Sequence, residues 1–195
     1  NFMDQFDKKA RAAVENLLSK CAGGTASQSL LIVHEDWYDG FYNADLHLMI
    51  AEHANDLGFF IQFYPIAFDP DVKVIPDTLV RASALADHTI FVARLGDQVR
   101  FCADIANATW IILYAIDVDM LASDFGMADY VGFDALKTEI NALMMEADHI
   151  HVTCPAGSSF SGHVEDLEAD SNDVTIKRFP MSIFTPLPTM HFEGH

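Results

Sequence analysis

The run Thr109-Trp-Ile-Ile-Leu-Tyr-Ala115 decides the fold class, because it is apolar over almost its whole length and too short for a buried helix. Apolar runs of this kind are typical of parallel strands that helices cover on both faces. Three similar runs precede it, and between them apolar residues recur at helical spacing. The predicted strands are 29–33, 59–64, 89–93 and 109–115, and the predicted helices between them include 6–20, 43–56 and 75–86. This alternation predicts an α/β fold with a doubly wound, mostly parallel sheet flanked by helices.

The last third of the chain departs from this rhythm. A fifth strand is predicted at 150–154, and two further short strand patterns, 158–163 and 174–178, flank an acidic loop. Two strands joined by a polar loop predict a C-terminal β-hairpin appendage. We therefore divide the chain into a Rossmann-like α/β domain at 1–157 and a β-hairpin extension, or the start of a truncated second domain, at 158–195. Further helices are predicted at 97–106, 120–125 and 134–147.

The charge balance argues against two classes of partner. Across 195 residues, 11 Lys and Arg stand against 29 Asp and Glu, which gives a net charge of −18. Such a field repels phosphate backbones and anionic lipid surfaces, so neither nucleic acid nor membrane is an expected partner. No apolar run reaches the roughly 18 residues that a membrane span needs. The expected partner is a small molecule or a peptide.

The cysteines indicate a reducing compartment. Cys21, Cys102 and Cys154 are widely spaced, and no CxxC motif occurs. This usage is typical of cytoplasmic proteins rather than of disulfide-stabilised secreted ones. Cys102 and Cys154 lie among apolar neighbours, which predicts small buried side chains rather than nucleophiles.

The carboxyl ends of the predicted strands carry most of the residues that suggest a binding site. In a doubly wound sheet, ligands bind beyond these ends, where the strand order reverses. Carboxylates crowded there raise one another's pKa or recruit a cation such as Mg²⁺. The same acids are favoured at helix N-termini, so ordinary helix caps stay an open alternative. The candidate ligand-binding residues are His34, Asp36, Arg94, Tyr114, Asp117 and Asp119.

Catalytic and metal motifs do not occur at their usual spacing. Neither HExxH nor HxxEH is present, and no Gly-rich phosphate loop follows the first predicted strand. The segment Gly157-Ser-Ser-Phe-Ser-Gly162 leads into a hairpin rather than a helix, unlike a nucleophile elbow. His149 and His151 share one face of a strand, but a metal there needs a third ligand, for which His163 is the obvious candidate. The residues alone assign no catalytic role.

Four segments, taken in order, resemble a known family. They are Ala86-Asp-His-Thr-Ile-Phe-Val-Ala-Arg94, Ile116-Asp-Val-Asp-Met-Leu-Ala-Ser-Asp-Phe-Gly126, His151-Val-Thr-Cys-Pro-Ala-Gly157 and Phe179-Pro-Met-Ser-Ile-Phe-Thr-Pro186. Their sequence and order resemble the N-terminal α/β portion of the family of M29-type aminopeptidases and 2,5-dihydroxypyridine dioxygenases. In that family an α/β domain precedes a domain that carries a catalytic metal.

The resemblance implies a supporting role for this chain. Family peptidases carry a metal-binding glutamate where this sequence has Ser182, and their other ligands would lie beyond His195. We therefore expect the N-terminal scaffold domain of a metal-dependent hydrolase or ring-cleaving dioxygenase, with a divalent metal, iron or zinc, held in a domain beyond this chain. Formation of a homodimer is a further expectation. The alternative is a non-enzymatic protein that uses the same scaffold to bind a small molecule or peptide.

Overall fold

The chain folds into two compact units. A computed structural model describes residues 2–35, 40–72, 74–99, 109–163 and 176–180. One unit comprises Asn1–Val131 with Val174–Ser182, and the other comprises Gly132–Asp173 with Ile183–His195. In chain order the described elements are α1 (Phe2–Glu15, continued by a π-helical turn at Asn16–Cys21), β1 (Ser29–Glu35), α2 (Leu46–Asp56), β2 (Phe60–Ile66), α3 (Asp77–Ala84), β3 (His88–Val92), α4 (Leu95–Gln98), β4 (Thr109–Leu113), α5 (Val118–Leu121), α6 (Tyr130–Glu146), β5 (His149–Thr153), β6 (Ser159–His163) and β7 (Ile176–Phe179).

The first unit is built on a five-stranded parallel sheet in the order β2-β1-β3-β4-β7. In register, Ile32 of β1 lies between Phe63 of β2 and Ile90 of β3. The chain runs outward from β1 to β2 and then returns across β1 to β3. The strand order therefore reverses between β1 and β3, and the carboxyl ends of these two strands border the crevice where such sheets bind ligands.

Helices pack on both faces of this sheet, which confirms the doubly wound α/β prediction. Alternate side chains of each strand point to opposite faces. One core lies against α1 with its π-helical turn, α2, α5 and strands β1, β3, β4 and β7. It contains Val14, Leu17, Ile32, Ile50, Ile90, Ile111, Leu121 and Phe179. The other contains Val33, Leu79, Phe91, Leu95, Trp110 and Ile176 and involves α3 and α4. Each fully buried side chain of this size contributes about 1.5–3 kcal/mol, so these two cores stabilise the sheet.

The predicted fifth strand is present as β5, but the predicted hairpin partners were wrong. A hairpin is present, but it joins β5 to β6 in a separate antiparallel sheet rather than joining 158–163 to 174–178. The fifth strand of the main sheet is β7, which pairs with β4 in parallel. β5 alternates polar and apolar residues and is largely exposed, as suits a two-stranded antiparallel sheet. β7 instead buries Ile176 and Phe179 on the two opposite faces of the main sheet.

The described part of the second unit contains most of α6 and the β5–β6 hairpin. In the turn after β5, the Cys154 amide donates to the Ser158 carbonyl at 2.9 Å, and the Gly157 amide donates to the Cys154 carbonyl at 3.0 Å. Cys154 is exposed, so the prediction that it is buried was wrong, because β5 does not enter a core. Hydrogen bonding from Ser158 lowers the pKa of its thiol. Cys102 lies outside the described residues.

Two predicted boundaries also changed. The second strand was predicted at 59–64, but β2 runs from Phe60 through Pro65 to Ile66. β2 is an edge strand among the described strands, and proline is tolerated where its missing N–H faces away from a neighbour. The helix predicted at 97–106 is seen as α4, Leu95–Gln98, and residues 100–106 lie outside the described part of the chain. None of the described helices is long and apolar enough to cross a membrane.

His88, at the amino end of β3, is a buried titratable group with 5% of its surface exposed. Its Nε2 lies 3.0 Å from Gln28 Oε1, which also accepts a hydrogen bond from the Thr25 amide, so Nε2 carries the proton. Among the described residues its buried Nδ1 meets no hydrogen-bond partner. Burial lowers the pKa of His88; the charge of Asp87 opposes this shift, and that of Lys177 adds to it.

Stability should therefore fall as the solution is acidified through the range of a free histidine. Below about pH 6.5 the unfolded chain takes up a proton on this residue, whereas folded His88 resists protonation, so acid favours unfolding. His88→Gln keeps an N–H donor near the position of Nε2 but cannot titrate. In urea unfolding from about pH 8 to pH 5, the variant should lose less stability than the wild type. The exposed His151→Gln should keep the wild-type dependence, and an unchanged pH slope in His88→Gln would refute this account of His88.

Candidate functional site

A buried ion pair occupies the point where the strand order reverses. Glu35 is the last residue of β1, and Arg94 follows β3 and precedes α4. Arg94 Nη2 donates to Glu35 Oε2 at 2.7 Å, and Arg94 Nε donates to both carboxylate oxygens at 2.9 and 3.1 Å. The Arg94 backbone amide also donates to Glu35 Oε1. The carboxylate thus joins the ends of two adjacent strands through both main chain and side chain.

The two members of the pair differ in exposure. The Glu35 side chain is 2% exposed and that of Arg94 is 24% exposed. Burying a carboxylate costs free energy unless its oxygens accept hydrogen bonds. Here at least three N–H groups of Arg94 donate to the carboxylate of Glu35. Arg94 therefore neutralises Glu35 from the solvent side of the pair.

Two aromatic rings hold the guanidinium of Arg94. Its Cζ lies 3.4 Å from the centroid of Phe68 and 4.9 Å from the centroid of Phe41. Each cation–π contact of this kind contributes about 0.5–2 kcal/mol. Phe41 is nevertheless 46% exposed, so one aromatic side chain at this edge is held in place while much of it faces solvent.

The loop that carries Phe41 is fixed to the end of β4. The Tyr42 hydroxyl donates to the Leu113 carbonyl at 3.3 Å, and the Asn43 amide donates to the Ile116 carbonyl at 2.8 Å. Burial, with the nearby charge of Glu35, raises the pKa of Tyr42 far above its usual value, so this residue is a neutral phenol at all physiological pH values. The loop and the strand end thus form one connected edge.

Tyr114 lies at the same edge. Its hydroxyl donates to Asp97 Oδ1 at 3.1 Å, which connects the end of β4 to α4. Nearby, Gln98 Nε2 donates to the Asp69 carbonyl at 2.9 Å and ties α4 to the segment that follows β2. These bonds fix the polar side chains around Arg94.

His34 lies on the other face of the sheet. Its ring stacks on that of His47 from α2, with centroids 4.1 Å apart and an interplanar angle of 2°. Phe63 of β2 places its ring edge-on to both, with centroid distances of 5.8 Å. Burial lowers the pKa of His47, and the neighbouring His34 lowers it further, which favours a neutral His47 ring in the stack.

The remaining predicted site residues have different settings. Asp117 caps α5, and its Oδ1 accepts a hydrogen bond from the Met120 amide at 2.6 Å. Asp119 is exposed in the first turn of α5. Asp36 lies outside the described residues. The structure therefore places Arg94 and Tyr114 around one polar cluster, His34 on the opposite face and the two α5 acids at a helix terminus.

The described residues do not form a metal site. Nowhere in the described ranges do three His, Cys, Asp or Glu side chains gather closely enough to hold a metal ion. His149 lies opposite His163 across the hairpin, and His151 Nε2 lies 3.1 Å from Ser159 Oγ. Ser182, at the position of the family glutamate, lies outside the described residues. The described residues thus offer no complete ligand set for the iron or zinc that the resemblance places in a domain beyond this chain.

Sequence reasoning missed the partners of Arg94. Glu35 is not among the predicted ligand-binding residues, although its place at the end of a buried apolar run was an available signal. Phe41 and Phe68 come from loops after two different strands, and no local pattern connects them to Arg94. Their contact with Arg94 depends on the pairing of the strands, which brings the three loops together.

Comparison with known proteins gives a likeness of fold. The sequence matches no protein-family model and no curated protein. Among solved structures, the chain is similar to 2,5-dihydroxypyridine dioxygenase from Pseudomonas putida KT2440, with a TM-score of 0.52 and 17% sequence identity. The similarity covers 82% of this chain and 48% of the dioxygenase chain, so this chain spans about half the length of that structure. At this identity the likeness shows a shared fold, and a relationship to M29-type aminopeptidases is not shown.

Proposed function

We propose that this chain is the α/β scaffold domain of a metal-dependent enzyme distantly related to the ring-cleaving dihydroxypyridine dioxygenase. The observation that carries the proposal is the structural likeness, which extends over 82% of this chain but only 48% of the dioxygenase. A domain of this kind supplies one wall of a cleft and a rigid support, while the metal ligands come from elsewhere. The same enzyme would be a cytoplasmic homodimer.

Within such an enzyme, the residues around Arg94 would shape the edge of the sheet that faces the substrate. The buried Glu35–Arg94 pair joins β1 to β3, and the Tyr42 and Asn43 contacts join the next loop to β4. A rigid edge keeps side chains in place without reorganisation when a ligand arrives. In such enzymes bound iron would supply the oxygen chemistry. The described residues of this chain would hold the edge of the sheet beside the substrate in a fixed position.

The reading frame that encodes the chain provides the first test. The proposal predicts that it continues beyond His195 into a segment with clustered His, Asp and Glu. The complete polypeptide should then consume oxygen when given 2,5-dihydroxypyridine and Fe²⁺, and this is measured with an oxygen electrode. A stop codon close to His195, or a complete polypeptide that is inactive on dihydroxylated pyridines with iron bound, would overturn the proposal.

A second candidate function is binding of a small molecule or peptide without catalysis. The observation that favours it is the fixed, partly exposed edge around Phe41 and Arg94, at the position where doubly wound sheets bind ligands. This candidate does not depend on residues beyond His195. A reading frame that stops near His195, with ligand binding retained by this chain, would favour binding over enzyme activity.

A further inference from the structure

Three apolar side chains are exposed together with carboxylates at the carboxyl edge of the main sheet. Phe41, Ile116 and Met120 are 46%, 39% and 37% exposed, and they come from the loop after β1, the segment between β4 and α5, and α5. Asp117 and Asp119 lie between Ile116 and Met120 in the chain. We refer to these five residues as the rim surface.

The rim surface is held in one arrangement by contacts beneath it. The guanidinium of Arg94 lies against the ring of Phe41, and Arg94 is itself fixed by the buried Glu35. The Asn43 amide donates to the Ile116 carbonyl at 2.8 Å, which holds the Phe41 loop beside β4. The carboxylate of Asp117 bonds to the Met120 amide at 2.6 Å and fixes the first turn of α5. These contacts keep the partly exposed apolar side chains in one arrangement. Less conformational entropy is therefore lost when a partner binds.

The local charge determines what such a surface attracts. The two segments that contain the rim residues, 40–72 and 109–131, contain nine Asp and Glu and no Lys or Arg. Two of these acids pair with basic residues of α1, Asp56 with Arg11 and Asp124 with Lys9, which leaves seven acids in excess. The positive charge of Arg94 at this edge is neutralised by Glu35. The rim surface therefore offers apolar contacts within a negative field, and a net charge of −18 extends that field over the protein.

From this combination we propose that the rim surface binds a basic, amphipathic segment of a partner protein. Apolar side chains of the segment pack on Phe41, Ile116 and Met120, and its Lys or Arg side chains meet Asp117 and Asp119. The three apolar side chains are each more than a third exposed and come from separate elements, so they form an open face that suits a peptide better than an enclosing small-molecule pocket. This inference rests on the second candidate function and names its partner class.

Fluorescence anisotropy with three labelled peptides tests the inference. The peptides share one helical pattern of leucines, and their polar positions are filled with lysine, glutamate or glutamine. The lysine peptide should bind saturably, and Phe41→Ser should weaken binding about tenfold, as expected for loss of an aromatic anchor. Met120→Ser should weaken binding in the same direction without removing the ring that covers Arg94. Asp119→Asn should weaken binding and reduce its dependence on salt.

Matched variants separate a specific surface from general attraction to an acidic protein. Leu85→Ser removes an 84% exposed apolar side chain elsewhere in the same unit, and Glu52→Gln removes an exposed charge on α2. Both should bind the lysine peptide as the wild type does. Equal weakening by Leu85→Ser and Met120→Ser, or no weakening by either rim variant, would overturn the inference.

The other two peptides distinguish failure of this inference from failure of the binding function itself. If the glutamate or glutamine peptide binds and Met120→Ser weakens it, the rim surface is a binding site but the basic partner is wrong. If no peptide binds, the inference is overturned, and peptide binding as a function is overturned with it. Dioxygenase activity of the complete polypeptide is measured separately and does not depend on either outcome.

Discussion

Replacing Arg94 with methionine should lower the free energy of unfolding by about 3 kcal/mol, because the substitution leaves the carboxylate of Glu35 buried without its counter-charge. Loss of one partner of a buried pair costs about 3–5 kcal/mol, and the lower end applies here since the Arg94 side chain is 24% exposed. In the variant the backbone amide of residue 94 still donates to Glu35, which also limits the loss of stability. Urea unfolding followed by circular dichroism measures the change.

A double variant separates the cost of an unpaired charge from the cost of lost packing. Glu35→Leu combined with Arg94→Met removes both charges and should recover much of the stability that Arg94→Met loses. Arg94→Lys should be intermediate, because one ammonium cannot reproduce the two-pronged contact or the stacking on Phe68. If Arg94→Met unfolds within about 0.5 kcal/mol of the wild type, as an ordinary surface substitution would, the buried pair does not join β1 to β3.

Phe179→Ala should destabilise the protein by about 3–5 kcal/mol, the usual cost of removing a fully buried phenylalanine. Phe179 ends β7, is fully buried, and its ring stacks on Tyr130 with centroids 6.3 Å apart. Its carbonyl accepts a hydrogen bond from the Tyr114 amide at 2.7 Å, which pairs β7 with β4. The prediction therefore tests whether residues 176–179 form the fifth strand of the sheet.

The matched control is a phenylalanine on the opposite edge of the same sheet. Phe60 lies in β2 and is 65% exposed, so Phe60→Ala should change stability by less than about 0.5 kcal/mol. Thermal unfolding of both variants under one set of conditions gives the comparison. Similar small losses in the two variants would show that β7 does not pack beside β4 as described.

The central strands could be predicted because their signal is local. The run 89–93 predicted a buried strand, and β3 is His88–Val92 with every residue buried. Leu30 and Leu31 face opposite cores, so both faces of β1 had to be apolar, and this gave the continuous run that was read in the sequence. Buried parallel strands are predictable for this physical reason.

The position of β7 could not be predicted because its signal is not local. Two of its four residues are Lys177 and Arg178, which do not suggest a strand in the main sheet. Lys177 is accommodated because its Nζ donates to the Cys21 carbonyl at 2.7 Å, a partner from the other end of the chain. In the chain, the β5–β6 hairpin also lies between β4 and β7, so the two paired strands are far apart in sequence.

The candidate site likewise contains residues that local sequence predicts and residues that it does not. Arg94 was placed at the carboxyl edge because it directly follows a predicted strand, and edges of parallel sheets gather such residues. Its partners Glu35 and Phe68 could not be assigned, since they meet it only after three strands have paired. Asp117 was predicted as a ligand residue with helix capping as the alternative, and in the structure its carboxylate caps α5.

Iron retention by this chain is the most direct test of the scaffold role. The protein is incubated anaerobically with Fe²⁺, desalted and analysed for metal by inductively coupled plasma mass spectrometry, beside the polypeptide of the complete reading frame. We expect substoichiometric iron on this chain, whose described residues form no three-ligand cluster, and stoichiometric iron on the complete polypeptide. Stoichiometric iron retained by this chain alone would contradict the account and place a complete metal site within these 195 residues.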